Sequence, residues 1–181
     1  MFDLFVRETT DADLEDILLV LHEAFTNPKE ASLVNDILKD PTAKPLVSLL
    51  AFVDNQVAGH ILFSNAKVSN NHGKLRFSIL APLAVRPQFQ KQGVGEALIK
   101  KGLKILSDSG VDVVFVLGHP SYYPRHGFTP ASKYGFVAPY PTPEKYVDAW
   151  MVQGLRPNVI SCASGQVICC DALNKLEHWR E

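Results

Sequence analysis

The spacing of apolar residues predicts two helices near the N-terminus. A short strand-like run, LFVRE at residues 4–8, comes first. The stretch TTDADLEDILLVLHEAF then places its apolar side chains on one helical face. These side chains are Leu14, Ile17, Leu18, Leu21 and Phe25. Thr10 or Asp11 can cap this helix, because either side chain accepts a hydrogen bond from a free N–H of the first turn. A second short helix is expected from Pro28 to Asp40.

Apolar runs between polar turns predict strands in the middle of the chain. Residues 46–53 and 57–66 flank a short polar turn and indicate an antiparallel hairpin. The polar turn SNNHGK at 69–74 leads into a third strand at 75–85. Pro82 cannot donate a ladder hydrogen bond, so it marks a bulge or a break in pairing.

A predicted βαβ unit follows the third strand. Its helix covers residues 94–107 and its second strand is the apolar run VDVVFVL at 111–117. The segment 137–146 is rich in proline and reads as a loop, and the last predicted strand is 166–172. Antiparallel strands, one βαβ unit and a further strand indicate an α+β or mixed α/β fold with one mixed sheet. We expect a single domain over residues 1–181.

Composition excludes several classes of partner. The chain has 181 residues, of which 46% are hydrophobic and 20% charged, as in ordinary globular proteins. Its formal net charge of −1 gives neither the basic field that nucleic acid requires nor a polybasic membrane anchor. No apolar run approaches the ~20 residues of a membrane span, and the acidic N-terminal stretch is unlike a signal peptide. We therefore expect a cytoplasmic protein without a nucleic-acid or membrane partner.

The cysteines and histidines predict neither disulfides nor a metal site. Cys162, Cys169 and Cys170 are odd in number, which makes a poor disulfide framework. We interpret them as fillers of a strand or core in a reducing compartment. The six histidines show no CxxC or HxxxH spacing, so no metal ligand set is expected.

Two glycines, Gly93 and Gly95, stand where the third predicted helix begins. The P-loop pattern is absent, and a dinucleotide fingerprint would need a third glycine where the chain has Leu98. A helix N-terminus with exposed N–H groups suits phosphate, and Lys91 or Arg86 could add positive charge. A glycine turn that binds nothing is the alternative.

A longer stretch is more specific. LAVRPQFQKQGVG, residues 83–95, resembles the acetyl-coenzyme A motif Q/R-x-x-G-x-G/A of the GNAT superfamily of N-acetyltransferases. Gln90, Gly93 and Gly95 hold its defining positions. SYYPRHGF, residues 121–128, is similar to the family's second motif, an aromatic residue before Tyr-x-x-x-Gly-Phe. GHPSYYPRHGF is most similar to a branch of bacterial acetyltransferases.

The resemblance implies a mixed sheet whose two central parallel strands splay apart around the pantetheine arm of acetyl-CoA, the cosubstrate. It implies that a strand end, a turn and a helix start bind this coenzyme. The residues concerned are Leu83, Ala84, Val85, Gln90, Lys91, Gln92, Gly93, Val94 and Gly95. A backbone N–H of Leu83–Val85 would stabilise the oxyanion, and Tyr123 would protonate the leaving thiolate. The alternative for Tyr123 is an aromatic ring that fills the floor of the wedge.

The general base is not evident from the sequence. Many relatives carry a glutamate on the strand before the coenzyme motif, and residues 75–81 contain no carboxylate. The candidates are His60, His119 and a chain of waters. His126 is expected to face solvent. A covalent route through the adjacent cysteine pair is less well supported than the interpretation as strand fillers.

Two functions of different classes remain open. The first is transfer of the acetyl group of acetyl-CoA to a primary amine, on a small molecule or peptide, by direct attack in a ternary complex. The second is a catalytically impaired sensor or partner module that binds acyl-CoA. The missing strand glutamate favours the second; the glycine motif and Tyr123 favour the first. The 137–146 loop and the 69–74 turn are expected to shape the acceptor side, and a homodimer is compatible with either function.

Overall fold

A mixed β-sheet covered by three helices forms the framework of the computed structural model, which describes residues 2–179. The strands are β1 (Leu4–Glu8), β2 (Val47–Val53), β3 (Gln56–Asn70), β4 (Phe77–Val85), β5 (Val113–Leu117), β6 (Thr129–Pro130), β7 (Phe136–Val137), β8 (Trp150–Gly154) and β9 (Ser164–Cys169). The helices are α1 (Leu14–Ala24), α2 (Lys29–Lys39) and α3 (Val94–Asp108). None of these helices combines the length and the apolar character needed to cross a bilayer.

The sheet topology confirms the predicted mixed α/β fold. Its strand order is β1-β2-β3-β4-β5-β8-β6. Neighbours along this order are antiparallel except β4 and β5, which run parallel and are connected by α3. The parallel pair with its intervening helix is the predicted βαβ unit.

The strands after β5 differ from the prediction: the short strands β6 and β7 and the longer β8 were not expected, and the last strand has other bounds. Strand β8 was not expected, because its apolar residues follow one another without alternation and its partner, β5, lies far earlier in the chain. The final strand is Ser164–Cys169 rather than 166–172. It pairs with the far half of β3, at Ala66–Asn70, and so lies apart from the β5–β8 side of the sheet.

A capping box at Thr10 begins the short 3₁₀ turn Asp11–Asp13, which leads directly into α1. The Thr10 hydroxyl accepts a hydrogen bond from the Ala12 N–H at 3.3 Å, and the Asp13 carboxylate accepts one from the Thr10 N–H at 2.7 Å. Arg7 on β1 donates to both Asp13 oxygens at 2.8 and 2.9 Å. These bonds, the Arg7 bonds foremost, hold the pKa of the Asp13 carboxyl well below its usual range. The helix entry is thereby tied to the first strand.

Two apolar layers cover the sheet. Helix α3 packs on one face, hereafter the α3 face, and α1 and α2 pack on the other, hereafter the α1 face. Gly102 of α3 lies against the ring of Phe63, where a β-carbon would collide, so the helix approaches the sheet closely. On the α1 face, the ring of Phe115 stacks between the rings of Phe77 and Trp150. The distances between ring centres are 5.8 Å and 5.2 Å, respectively.

The two parallel strands separate at a bulge in β4. Their ladder ends at Leu80. Leu80 pairs with Phe63 of β3, and Leu83 pairs with Ile61, so β4 holds one residue more than β3 in this interval. The β4 residues in this interval are Ala81 and Pro82, and at Pro82 the sequence predicts a bulge or a break in pairing. A gap therefore opens between the last residues of β4 and the end of β5.

Candidate active site

A groove of about 650 Å³ opens on the α3 face at this gap; we call it the splay groove. The end of β4, the turn before α3 and the loop after β5 line it. Seven of the nine predicted coenzyme residues are among its lining residues: Leu83, Val85, Gln90, Lys91, Gly93, Val94 and Gly95. The other two do not line it. Ala84 faces the α1 face, and the Gln92 side chain donates to the Gln88 carbonyl at 3.1 Å.

The end of β4 presents backbone groups to the splay groove. The Arg86 N–H donates to the Ala58 carbonyl of β3 at 2.8 Å. Because hydrogen-bond direction alternates along a strand, Leu83 and Val85 turn their N–H and C=O groups away from β3 and toward the gap. The Gln90 side chain donates to the Val85 carbonyl at 3.2 Å. The strand thus offers a ligand an edge that β5 does not pair.

The turn before α3 needs its two glycines for different reasons. Gly93 is the N-cap of α3 and has a φ of 83°, in the left-handed region that favours glycine. A β-carbon on Gly95 would lie 2.5 Å from the Tyr122 hydroxyl. One glycine thus supplies a backbone conformation and the other allows close approach to the first helical turn. That turn directs N–H groups and the positive end of the helix dipole toward the groove.

The positive charge at the groove differs from the prediction. Lys91 lines it, as expected, and so does Arg125, whose guanidinium lies 5.0 Å from the centre of the Tyr122 ring. Arg86 instead donates to both carboxylate oxygens of Glu23 on α1, at 3.0 and 3.1 Å. These bonds lower the pKa of the Glu23 carboxyl. Arg86 therefore ties the end of β4 to α1, and Lys91 and Arg125 supply the positive charge at the groove.

The two tyrosines of the second motif both line the splay groove. Tyr123 is 8% exposed; its ring packs against Gly118 and meets Phe128 edge-on at 5.7 Å. Burial, with a smaller contribution from Tyr122, raises the pKa of Tyr123, so its hydroxyl stays protonated at neutral pH. Tyr122 is half-buried, and its hydroxyl reaches over Gly95. Tyr122 therefore belongs to the groove as well as to the packing around Tyr123.

Three residues that line the splay groove were not predicted from the sequence, and a fourth was predicted to lie elsewhere. Phe89, Glu96 and Arg125 line the groove without having been predicted. Glu96 and Arg125 stand at or beside positions that the two motifs leave unspecified, so no motif could have indicated them. His126, expected to face solvent, also lines the groove; its ring lies 4.8 Å from that of Tyr122, and burial lowers its pKa.

His60 is placed where it cannot serve as the general base. It is fully buried on the α1 face of β3, and it lines neither the splay groove nor the second cavity described below. Its Nε2 lies 2.9 Å from the Ser48 hydroxyl, and within the described residues its Nδ1 has no hydrogen-bond partner. Burial lowers the pKa of His60 to about 3, so the ring is neutral. Of the two histidine candidates, only His119 reaches an open site.

A second cavity, of about 560 Å³, lies at the same end of the sheet; we call it the α1-face cavity. The residues after β5, the segment 142–149 and Trp179 line it. Leu117 and Trp179 belong to the apolar layer of the α1 face, whereas Leu83 and Val94 of the splay groove belong to that of the α3 face. His119 lines both cavities. The two cavities therefore approach one another from opposite faces of the sheet.

Of the two segments expected to shape the acceptor side, only the proline-rich loop is near the gap. Thr142, Pro143, Lys145 and Tyr146 line the α1-face cavity. The 69–74 turn connects the end of β3 to the start of β4, at the opposite end of the sheet from Leu83–Val85. The expectation for that turn was wrong, because the length of β4 separates it from the gap.

The family model described as the acetyltransferase (GNAT) domain matches residues 5–131. This chain belongs to the GNAT acetyltransferase family. Two curated GNAT relatives come from Escherichia coli (strain K12), and both are described as uncharacterized N-acetyltransferases. YjhQ is 44% identical over 164 residues, which cover 90% of each chain. YhbS is 30% identical over 165 residues, which cover 91% of this chain and 95% of YhbS.

Solved GNAT structures have a fold similar to that of this chain. Crystalline YhbS from Escherichia coli, in complex with CoA, matches with a TM-score of 0.86 at 28% identity, over 97% of this chain and 94% of that one. A GNAT family acetyltransferase from Brucella melitensis, in complex with acetyl-CoA, matches with a TM-score of 0.73 at 26% identity, over 94% and 98% of the two chains. The agreement confirms the predicted GNAT fold.

The structure of this GNAT chain supports neither a carboxylate base on β4 nor a covalent route through the cysteine pair. Strand β4 carries no carboxylate. Cys169 and Cys170 are buried at the end of β9 and line neither the splay groove nor the α1-face cavity. Burial raises the pKa of the Cys169 thiol to about 12, so it is not a thiolate at neutral pH. The exposed His119 and a chain of waters remain the candidates for the base.

Proposed function

We propose that this GNAT enzyme transfers the acetyl group of acetyl-CoA to a primary amine by direct attack in a ternary complex. The observation that carries the proposal is that one groove combines the unpaired end of β4, the glycine turn before α3 and the protonated Tyr123. Each of these matches a separate part of an acyl-CoA thioester. The YhbS and Brucella melitensis structures, with CoA and acetyl-CoA, support the choice of cosubstrate.

The residues of the groove fit the coenzyme. The N–H and C=O groups of Leu83 and the N–H of Val85 suit the amides of a pantetheine arm, which can pair with them as an added strand. The N–H groups between Lys91 and Gly95 suit a pyrophosphate, with Lys91 and Arg125 adding positive charge. Bound there, the coenzyme supplies an acetyl group activated as a thioester.

Two groups of the chain act on the developing charges. A backbone N–H at Leu83–Val85 donates to the carbonyl oxygen as negative charge grows there. Tyr123 holds a proton that it can deliver to the departing sulfur. Because a thiolate with a pKa near ~8.5 leaves tolerably well without a proton, the Tyr123 proton accelerates the reaction without being indispensable.

The amine must reach the gap in its neutral form. Neutralising an amine with a pKa of ~10.4 costs about 4.6 kcal/mol at pH 7, whereas an α-amine with a pKa near ~8 costs about 1.4 kcal/mol. His119, shared by both cavities, or a water beside it accepts the proton. With no carboxylate on β4 to help, α-amines and similarly weak bases are the preferred acceptors.

Release of free thiol from acetyl-CoA across a panel of amines tests the proposal. We expect turnover with amines whose pKa is near 8, and kcat/KM for a peptide N-terminus above that for a lysine side chain at the same pH. Coenzyme A binding, measured by calorimetry, is the companion measurement. Tight binding with no thiol release from any amine would favour the sensor or partner module instead.

A further inference from the structure

We propose that the α1-face cavity binds the acceptor as an apolar body carrying a carboxylate, with Lys145 as the residue that binds the carboxylate. This inference rests on the proposed function, because it assigns the acceptor side of the same reaction. It excludes polyamines and other polycations as preferred acceptors.

The location of the cavity makes it the acceptor side. It opens on the α1 face, while the coenzyme residues lie on the α3 face. His119 lines both, and its loop is held in place because the Gly118 N–H donates to the Ala149 carbonyl at 2.9 Å. An amine in the α1-face cavity therefore meets the gap beside His119 without crossing the coenzyme groove.

Apolar side chains form much of the cavity wall, and Trp179 among them is held in a fixed position. Trp179 is 4% exposed, its indole N–H donates to the Leu173 carbonyl at 2.9 Å, and its ring meets Trp150 edge-on at 5.7 Å. Tyr146 and Leu117 add an aromatic and an aliphatic surface. A preformed apolar wall of this kind favours an apolar acceptor body, because it releases water from both surfaces on binding.

The formal charge among the described residues that line the cavity is that of Lys145. Lys145 and His119 are its ionisable basic groups, and none of its lining residues within 2–179 is a carboxylate. Lys145 takes part in none of the ion pairs found between described residues; its Nζ lies 4.9 Å from the centre of the Tyr146 ring. An exposed ammonium beside an aromatic wall attracts an anion and repels a second cation on the acceptor.

The dipeptides Phe-Gly and Phe-Gly amide test this assignment, since they share the apolar body and the α-amine and differ in the carboxylate. Binding is measured by calorimetric titration into the protein saturated with coenzyme A, so that no turnover is required. We expect Phe-Gly to bind about fivefold more tightly than its amide, the scale of one partly solvated ion pair. Spermidine should bind more weakly than either peptide. The preference for Phe-Gly should shrink as salt is added.

Two lysine variants separate the charge at this cavity from general surface charge. Lys145→Met should abolish the preference for Phe-Gly over its amide. Lys133→Met is the matched control, because Lys133 also lies over a tyrosine ring, at 5.7 Å from Tyr134, and lines neither cavity. The control should keep the preference.

Equal binding of the two peptides, tighter binding of spermidine, or a preference that survives Lys145→Met would each overturn the assignment. These outcomes are distinct from a failure of the proposed function. That failure would appear as no thiol release from acetyl-CoA with any amine, whatever the binding experiment shows.

Discussion

The splay groove and the α1-face cavity meet at His119 but are built from different parts of the chain. The groove is made by two short stretches, 83–96 and 119–126, and its main ligand groups are backbone N–H and C=O groups at a strand end and a helix start. The α1-face cavity is made by side chains from the end of β5, the segment 142–149 and Trp179. Under the proposed assignment, backbone groups bind the coenzyme and side chains bind the acceptor.

This difference has a physical reason. A coenzyme that is the same in every turnover can be bound by groups that every residue carries, provided that glycines allow the backbone to approach. An acceptor must be distinguished from other amines, which requires shape and charge that only side chains provide. Substitutions of binding residues that line only one cavity should therefore change the affinity for one substrate and leave the affinity for the other unaltered.

The largest expected effect is at Tyr123. Tyr123→Phe keeps the ring against Gly118 and removes only the hydroxyl, so kcat should fall by roughly 10²–10⁴-fold as for general acids elsewhere. Coenzyme A affinity should change little, since the hydroxyl acts in the transition state. Steady-state kinetics and calorimetry measure the two quantities. Tyr122→Phe is the control and should be much milder; equal effects of the two variants would make Tyr123 a packing residue.

Gly95 tests the coenzyme side. In Gly95→Leu the new β-carbon meets the Tyr122 hydroxyl, and the rest of the side chain fills the space over the first turn of α3. We expect coenzyme A affinity to fall by about 100-fold, or about 2.7 kcal/mol, with the fold retained. Calorimetry with coenzyme A and a thermal unfolding scan measure both. An unaltered affinity in a folded variant would contradict the assignment of this turn.

His60 should govern stability at acid pH and take no part in the chemistry. Its pKa is about 3 in the folded protein and near the ordinary 6.5 when unfolded. Below pH 6.5 the unfolded chain binds a proton that the folded chain does not, so stability is lost as the pH falls. From pH 7 to pH 5 the His60 contribution is about 2 kcal/mol, at ~1.36 kcal/mol per pH unit below 6.5.

Denaturant unfolding at the two pH values measures this loss. His60→Gln, which does not titrate, should remove that part of the pH dependence while the shape of the pH–rate profile at neutral pH is retained. If His60→Gln changed the shape of the pH–rate profile instead, His60 would again be a candidate for the general base.

His119 tests the point where the two cavities meet. His119→Ala should lower kcat/KM by about tenfold, less than the usual range for a general base, because solvent reaches this exposed position. Added imidazole should restore part of the rate, which a purely structural role would not allow. Failure of imidazole to restore any rate, with a fold intact by circular dichroism, would favour a water chain.

The smallest expected effect is on coenzyme A affinity in Gly93→Ala, and comparison with Gly135→Ala distinguishes a role in binding from backbone strain. Gly93 and Gly135 have φ values of 83° and 80°, and a β-carbon would meet no atom closer than 3.6 Å at either. Alanine at each should cost about 1 kcal/mol of unfolding free energy. Only Gly93→Ala should also weaken coenzyme A binding, by a few-fold. Equal binding by the two variants would show that the turn is needed for folding alone.

The difference between the splay groove, built from local segments, and the α1-face cavity, built from distant ones, also explains what could be predicted from the sequence. Helices α1, α2 and α3 and the β2–β3 hairpin follow from local periodicity and turns. The predicted coenzyme residues lie within one contiguous motif, 83–95, and Tyr123 lies within a second, 121–128. Strand β8 and the α1-face cavity depend on pairing between β5 and β8 and on the return of the chain end, which brings Trp179 beside Leu117. Such contacts join residues far apart in sequence and leave no local pattern.

The bulge at Pro82 has a consequence for the order of events in a catalytic cycle. Under the proposed assignment of the two cavities, each substrate has its own entrance at the gap that the bulge opens, and neither has to leave before the other can enter. Acetylated product and free coenzyme can then depart in either order. Product-inhibition kinetics should therefore show coenzyme A competing with acetyl-CoA and the acetylated amine competing with the amine.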